Sequence, residues 1–282
     1  MHAVRNSCCD GGSFRRLQRA GVLLSRKPEW WESYFDSHYL LEYAPVFTAE
    51  RDRSEVARVI EVLGLPLGSR ILDAPCGQGR HAHLLAEAGF RLDGIDYSRQ
   101  LLAAALQRGT SPSLKYRRAD MRRLPRVWSN RFDGVVNLFT SFGFFENPSD
   151  DARVIGEFAR VLKPGGVLVW HGASRDGVMS RFLSRDWWET TNGTVVMQER
   201  RFDSLSGVLS IESTIRRKNG RTTRREHRIR LYNATRLAEL CALQGLIVEE
   251  AYDSFTSRAL TRRSTEMLLV ARKFNGGRRT AV

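Results

Sequence analysis

Residues 70–90, Arg-Ile-Leu-Asp-Ala-Pro-Cys-Gly-Gln-Gly-Arg-His-Ala-His-Leu-Leu-Ala-Glu-Ala-Gly-Phe, constrain what this chain can fold into more than any other stretch. Ile71 and Leu72 read as a short buried strand that stops at Asp73. The chain then turns through Pro75 and two glycines and enters a helix with Leu84, Leu85 and Ala88 on one face. Gly77 and Gly79 let backbone approach a ligand closely, and the free N–H groups of the new helix point at the same place. The run Gly77-Gln78-Gly79-Arg80-His81-Ala82 satisfies the dinucleotide-binding spacing, with Ala in the last slot. Asp73 argues against that ligand. Its carboxylate would repel a pyrophosphate, whereas it suits a molecule carrying an amino group and a cationic sulfur.

The following strands also end in acids. Residues 90–96 form a strand closing at Asp96, 17 positions past Gly79, near the spacing of an acid that hydrogen-bonds a ribose diol. Tyr97 follows, and Ser98 caps a helix over 99–108. Residues 114–119 form a third strand ending at Asp120-Met121. There an acid would accept from an adenine amino group while a thioether packs on the ring. Asp120 also reads as a plain cap or turn residue, and its register with Asp73 and Asp96 favours the ligand. Val135 and Val136 form a fourth strand with Asn137 at its end. A helix over 148–162 stops at Lys163-Pro164-Gly165-Gly166, and residues 167–170 are the fifth strand. This alternation implies a parallel sheet wrapped by helices.

Ahead of that core, residues 30–43 read as one aromatic amphipathic helix, either simple packing or a cover over the ligand. A second helix spans 50–63. After the fifth strand the pattern changes. Residues 194–202, 208–215 and 222–231 read as antiparallel strands, the last two joined through Asn219-Gly220. His227, Ile229 and Leu231 share one face of the last strand, so Arg228 and Arg230 fall on the other. The hairpin arginines are expected mostly to face solvent or an anionic small substrate, with the meander as a lid or dimer edge. A helix over 234–244 and strands over 246–252 and 267–271 close the chain. Residues 1–28, with six basic residues against one acid, read as a disordered tail; residues 29–282 read as one domain carrying an antiparallel insertion over 193–231.

The net charge of +14 invites a nucleic-acid or acidic partner. Forty of the 45 basic residues are Arg, which fits compositional bias as well as a binding surface. Cysteines at 8, 9, 76 and 241 make no disulfide framework, so a reducing, cytoplasmic compartment is expected. No apolar run approaches the roughly 20 residues of a membrane span. His81 and His83, two apart on a helix, do not share a face, and no metal site is expected.

Taken together, these segments resemble a group of bacterial class I S-adenosyl-L-methionine (SAM) methyltransferases. The resemblance runs from Trp30 to Lys273 and is carried by Tyr34-Phe35-Asp36, residues 73–81, Asp120-Met121-Arg122, residues 137–143, Leu162-Lys163-Pro164-Gly165-Gly166 and Arg230-Leu231-Tyr232. It implies an α/β, Rossmann-like sheet of seven strands, the last antiparallel, with the antiparallel insertion after the fifth. It implies SAM as cofactor, with Asp73, Ala74, Gly77, Gln78 and Gly79 around the methionine part. Asp96 and Tyr97 would meet the ribose, Asp120 and Met121 the adenine, and Tyr39 and Asn137 would complete the contacts. Substrate candidates are Phe139, Ser141, His171 and Tyr232. The group is similar to enzymes that methylate amines on small molecules, including nucleotide-linked amino sugars. Phe144 stands where the group often has Tyr, and Asp253-Ser254-Phe255-Thr256 lacks an expected Gly-Asp-Phe.

Methyl transfer from a sulfonium rests largely on orientation, and a neutral amine needs at most a weak base, so no catalytic residue is assigned. The partner expected is a small-molecule acceptor, with a homodimer left open. Two other readings stand beside it. An RNA methyltransferase would use the basic hairpin, where eight Arg or Lys between 216 and 230 face one acid, Glu226. A SAM-binding protein without turnover would keep the same acids.

Overall fold

The computed structural model describes residues 28–190 and 193–275. The tail expected over 1–28 falls, apart from Pro28, outside the described residues. The chain enters through α1 (Trp31–Tyr34), α2 (Ser37–Tyr43) and α3 (Ala49–Leu63). It continues as β1 (Arg70–Asp73), α4 (Arg80–Glu87), β2 (Arg91–Asp96), α5 (Arg99–Arg108), β3 (Leu114–Arg118), β4 (Phe132–Asn137), α6 (Pro148–Val161) and β5 (Leu162–Ala173). After α7 (Arg175–Ser180) come β6 (Arg185–Glu189), β7 (Val195–Asp203), β8 (Val208–Arg216) and β9 (Thr222–Arg230). Then α8 (Ala234–Leu243), β10 (Leu246–Asp253) and β11 (Glu266–Lys273) complete the fold.

Seven strands form one sheet in the order β10-β11-β5-β4-β1-β2-β3. β1 to β5 pair in parallel, and β11 runs antiparallel between β5 and β10. The inner strands are buried on both faces, which is why Ile71-Leu72, Val135-Val136, residues 167–170 and residues 267–271 run without polar interruption. Leu72, Ile95, Val135 and Leu168 meet Ile155 and Phe158 of α6 on one face. Ile71, Leu92, Val136 and Val169 meet Val59 of α3 and Leu85 of α4 on the other. Thr48, Ser98 and Asn147 each cap the helix that follows with a side-chain oxygen.

Three sequence expectations change here. Residues 30–43 are two helices, because Asp36 accepts the Tyr39 N–H at 3.0 Å and starts α2 afresh. β5 is longer than 167–170, running from Leu162 to Ala173, with a register irregularity between its pairings to Phe132 and Gly134. The insertion begins earlier than 193, with an additional strand, β6, that pairs antiparallel with β7. Together β6, β7, β8 and β9 make a separate four-stranded sheet.

That second sheet lies against the loop after β4. Leu209, Ile229 and Leu231 form its buried cluster, with Phe144, Ala173 and Val178 packed against them. The Arg230 N–H donates to the Gly143 carbonyl at 2.7 Å. Gly143 has φ +92°, and a Cβ there would run into the Arg230 carbonyl. Two hairpin arginines expected at the surface are instead buried in ion pairs. Arg230 reaches the fully buried Asp151 at 2.6 Å. Arg225 binds Asp36 at 3.1 Å, Glu42 at 3.4 Å and the Tyr34 carbonyl.

Candidate active site

The sheet order reverses at β1, and open α/β sheets bind ligands in the crevice at such a point. Here the crevice is a cavity of about 960 Å³ to its mouth, at the carboxyl ends of β1 to β4 and beneath α1 and α2. Of the residues expected at a cofactor, Tyr39, Gly77, Gln78, Asp96, Tyr97, Asp120 and Met121 line it. Asp73, Ala74, Gly79 and Asn137 stand behind the lining.

Each of those four has a definite place. Gly79, at φ +75°, starts α4, and a Cβ there would run into the Tyr116 hydroxyl. Asp73 is almost fully buried and its Oδ2 has no partner. Burial raises its carboxyl, Arg80 pulls it back and Asp96 adds to the rise, leaving it at about 8. Asn137 donates from Nδ2 to the Ala74 carbonyl at 2.6 Å, while its Oδ1 is buried and unpartnered. β1 and β4 are neighbours, so two buried oxygens without a partner lie at adjacent strand ends. Buried polar groups are nearly always paired in native proteins, and these two suit a ligand bearing N–H donors. SAM, with its amino group, fits them.

Asp96 holds the turn open. Its two oxygens accept from the Gly77 N–H at 2.9 Å and the Ser98 N–H at 2.7 Å. Burial still pushes its carboxyl up to about 6. Asp120 is held from behind by Arg122, whose Nη2 lies 2.8 Å from Oδ2 and which also reaches Glu29 and Asp150. Ala119 and Met121 flank it in the lining.

Sequence reasoning passed over Arg80, which also lines the cavity. It is buried, binds Asp52 at 2.6 Å and Glu55 at 2.5 Å, and packs over the rings of Phe47 and Phe139. Its Nη2 has no partner. His81 also reaches Glu55, at 2.7 Å, and burial brings it down to about 4, so it stays neutral. No local signal pointed to it, because its partners Asp52 and Glu55 lie on α3, 28 and 25 residues upstream.

Beyond β4 the chain forms a tight loop. Phe139 and Thr140 both have positive φ, +59° and +58°, an uncommon conformation for residues with side chains. His171 holds them there. Its Nδ1 accepts the Phe139 N–H at 3.2 Å and its carbonyl accepts the Thr140 N–H at 3.1 Å. His171 itself is fully buried on β5 and lines neither cavity. Tyr232 is likewise away from both, its hydroxyl donating to Asp151 at 2.7 Å. Phe139 and Ser141 line both.

The second cavity, about 900 Å³ to its mouth, lies between this loop, the α1–α2 cover and the inner face of the inserted sheet. It shares Phe35, Tyr39, Phe139, Ser141 and Phe144 with the first. Two ligands could therefore meet at the Phe139–Ser141 loop, one above the central sheet and one under the inserted sheet.

Residues 71–166 match a family described as a methyltransferase domain. A glycine/sarcosine N-methyltransferase of Halorhodospira halochloris is 31% identical over 182 residues, covering 60% of this chain and 68% of that protein. A dTDP-3-amino-3,4,6-trideoxy-alpha-D-glucopyranose N,N-dimethyltransferase of Streptomyces venezuelae is 29% identical over 176 residues, covering 61% of this chain and 60% of its own length. The CcbJ methyltransferase from Streptomyces caelestis superposes with TM-score 0.70 at 19% identity, over 78% of this chain and 89% of that one. SAM-bound CalS10, an amino pentose methyltransferase from Micromonospora echinaspora, gives 0.64 at 19%, over 85% and 98%. The solved structures share the fold, and the Halorhodospira relative carries the likeness across most of its own length. This chain belongs to the SAM-dependent methyltransferase family, with SAM as its cofactor.

Proposed function

We propose that this protein transfers a methyl group from SAM to the nitrogen of a small-molecule amine. The observation that carries the reading is the second cavity, which shares Phe139 and Ser141 with the first as common lining. The relatives named above for N-methylation support the choice of nitrogen. Bound SAM supplies an electrophilic methyl on a cationic sulfur, which leaves with the electron pair as a neutral thioether. The protein's part is therefore to hold and to align. Asp73 and Asn137 take the amino group of the methionine part, Asp96 the ribose, and Asp120 with Met121 the adenine. Phe139 and Ser141 border the methyl. Alignment of this kind is worth on the order of 7–11 kcal/mol of barrier. A neutral amine carries its own lone pair, so the absence of an acid–base pair from this assignment is consistent with the chemistry.

The reading is tested by incubating the protein with SAM labelled at the methyl group and a panel of primary and secondary amines, following transfer by mass spectrometry. N-methylated products are expected. Tight binding of NAD with none for SAM would overturn it. The RNA reading has less support than the basic hairpin alone offered, since Arg225 and Arg230 are committed to buried acids.

A further inference from the structure

The acceptor cavity carries a single charge. Among the described residues, Glu266 at the start of β11 is the one charged side chain that lines it. Its Oε2 accepts from the Ser254 hydroxyl at 2.7 Å and lies 3.5 Å from His171 Nε2. Because His171 Nδ1 accepts the Phe139 N–H, Nε2 donates to the Ser254 hydroxyl oxygen at 3.1 Å, and that hydroxyl in turn donates to this carboxylate. These contacts, His171 first, hold the Glu266 carboxyl down at about 2 against the effect of burial. It is an anion throughout the physiological range, with its side chain 38% exposed toward the cavity.

The rest of the lining offers aromatic faces and neutral polar groups. Trp30, Tyr34, Tyr43 and Phe144 form much of the wall. Burial pushes the Tyr34 and Tyr43 hydroxyls up, so neither ionises. His227 lines the same wall, with Nδ1 3.1 Å from the Tyr34 hydroxyl. Burial, with Arg225 beside it, brings His227 down to about 4, and it is neutral as well. Among the described residues the nearby cations are engaged, Arg200 by Asp186. Arg225 is bound by Asp36 and Glu42, Arg51 by Glu55, and Arg80 by Asp52 and Glu55 on the cofactor side.

We propose that this cavity selects an acceptor whose amine arrives as a cation on an apolar or aromatic skeleton, that Glu266 is the residue that selects it, and that the bound ammonium gives its proton to solvent water before its freed lone pair attacks the methyl. The inference rests on the methyltransferase reading above and names its substrate class. Aromatic faces attract a cation through the ring quadrupole, more strongly where water is excluded. A carboxylate or phosphate entering the same cavity would meet Glu266 with no cation in the lining, among the described residues, to balance it, and like charges repel more strongly the less water screens them. Acceptors that carry an anionic group next to the amine, such as glycine, are therefore disfavoured. The hairpin arginines, read from sequence as mostly facing solvent or an anionic small substrate, do not reach this lining.

The test compares two probes of like size and opposite charge, 2-phenylethylammonium and 3-phenylpropionate. Both are titrated into protein saturated with S-adenosylhomocysteine, with binding followed by calorimetry. The ammonium is expected to bind at least about tenfold more tightly, the change one well-placed cation–aromatic and charge contact supplies. Glu266→Gln should shrink that preference to about threefold or less while leaving S-adenosylhomocysteine affinity unchanged. Equal or tighter binding of the carboxylate, or binding of neither probe, overturns the proposal. So does a full preference that survives in Glu266→Gln. The wild-type comparison needs no variant, so a poorly folded mutant does not blunt it. Failure to bind S-adenosylhomocysteine at all would strike the methyltransferase reading instead.

Discussion

Arg225 on β9 and Asp36 at the start of α2 meet at 3.1 Å, across 189 residues of chain. Asp36 also caps α2, so one carboxylate both begins the cover helix and ties it to the inserted sheet. Arg225 adds Glu42, the Tyr34 carbonyl and a cation–π contact over the Tyr34 ring. Replacing Arg225 by Ala should lower stability by about 1.5–3 kcal/mol, the range for hydrogen bonds to charged groups. Urea unfolding measures this, with Arg225→Lys expected to recover only part, since Lys lacks the planar fork. An unchanged midpoint in the Ala variant would mean that aromatic packing alone holds the cover.

Asp96 lines the first cavity, with Asp120. Asp96→Ala should weaken SAM binding by about 1.5–3 kcal/mol. It also removes the acceptors of the Gly77 and Ser98 N–H groups, so melting temperature is recorded alongside calorimetry. Unaltered SAM affinity would place the ribose elsewhere.

Asp73 predicts a pH dependence. Its carboxyl is raised by burial from 3.8 to about 8 in the folded protein. A raised pKa favours the folded state fully at pH values below about 4, and the advantage is lost as pH rises through 8. Asp73→Asn cannot ionise. The wild-type melting temperature minus that of Asp73→Asn should therefore fall steadily between pH 5 and about 9. SAM's ammonium favours the ionised carboxylate, so binding below pH 8 should release a proton and tighten as pH rises. Titrations in buffers of different ionisation enthalpy read that proton directly, and finding none would remove Asp73 from the methionine site.

His171 is expected to act through the loop it holds rather than by touching substrate. In His171→Ala the Phe139 N–H loses its ring acceptor, while the Thr140 N–H keeps the backbone carbonyl of residue 171. Misplacement of about 1 Å can cost on the order of a hundredfold in rate. Such a loss in kcat, with SAM affinity held, is the expected result. A variant with unimpaired kcat would show that the loop keeps its shape unaided.

The basic hairpin keeps Arg221, Arg224 and Arg228 exposed. Changed together to Ser, they should leave methylation of small amines intact. If the face served RNA, activity on bulk RNA would fall steeply between low and physiological salt and vanish in this triple variant, because phosphate contacts release counterions.

Much of the central fold was readable because its signals are local. The apolar runs at Ile71–Leu72 and Val135–Val136, the capping Ser98 and the Asn219-Gly220 turn each act over a few residues. The three acids at strand ends were legible for the same reason. β6 was not, since Arg-Asp-Trp-Trp-Glu has no alternation and its strand is defined by pairing with β7. The fates of Arg225 and Arg230 were hidden too, because their partners, Asp36, Glu42 and Asp151, are supplied by distant segments. Alternation correctly put Arg230 opposite Leu231, yet could not say that Asp151 waits on that side. Alternation placed His227 with Ile229 and Leu231, the face that lines the cavity, but Glu266 gave no sequence signal, because a wall assembled from distant segments has no spacing.

That assembly from separated segments orders events while the protein is being made. Every residue lining the SAM cavity has been synthesised by Phe145, but the acceptor cavity waits for β9 and Glu266. Tyr34 and His227, which hydrogen-bond across it, are 193 residues apart. At ordinary translation speeds that separation corresponds to about 10–40 s. Throughout that interval Trp30, Tyr34 and Tyr43 have no inserted sheet to pack against. A growing chain of this protein therefore presents an uncovered aromatic face to the ribosome exit and to any chaperone stationed there.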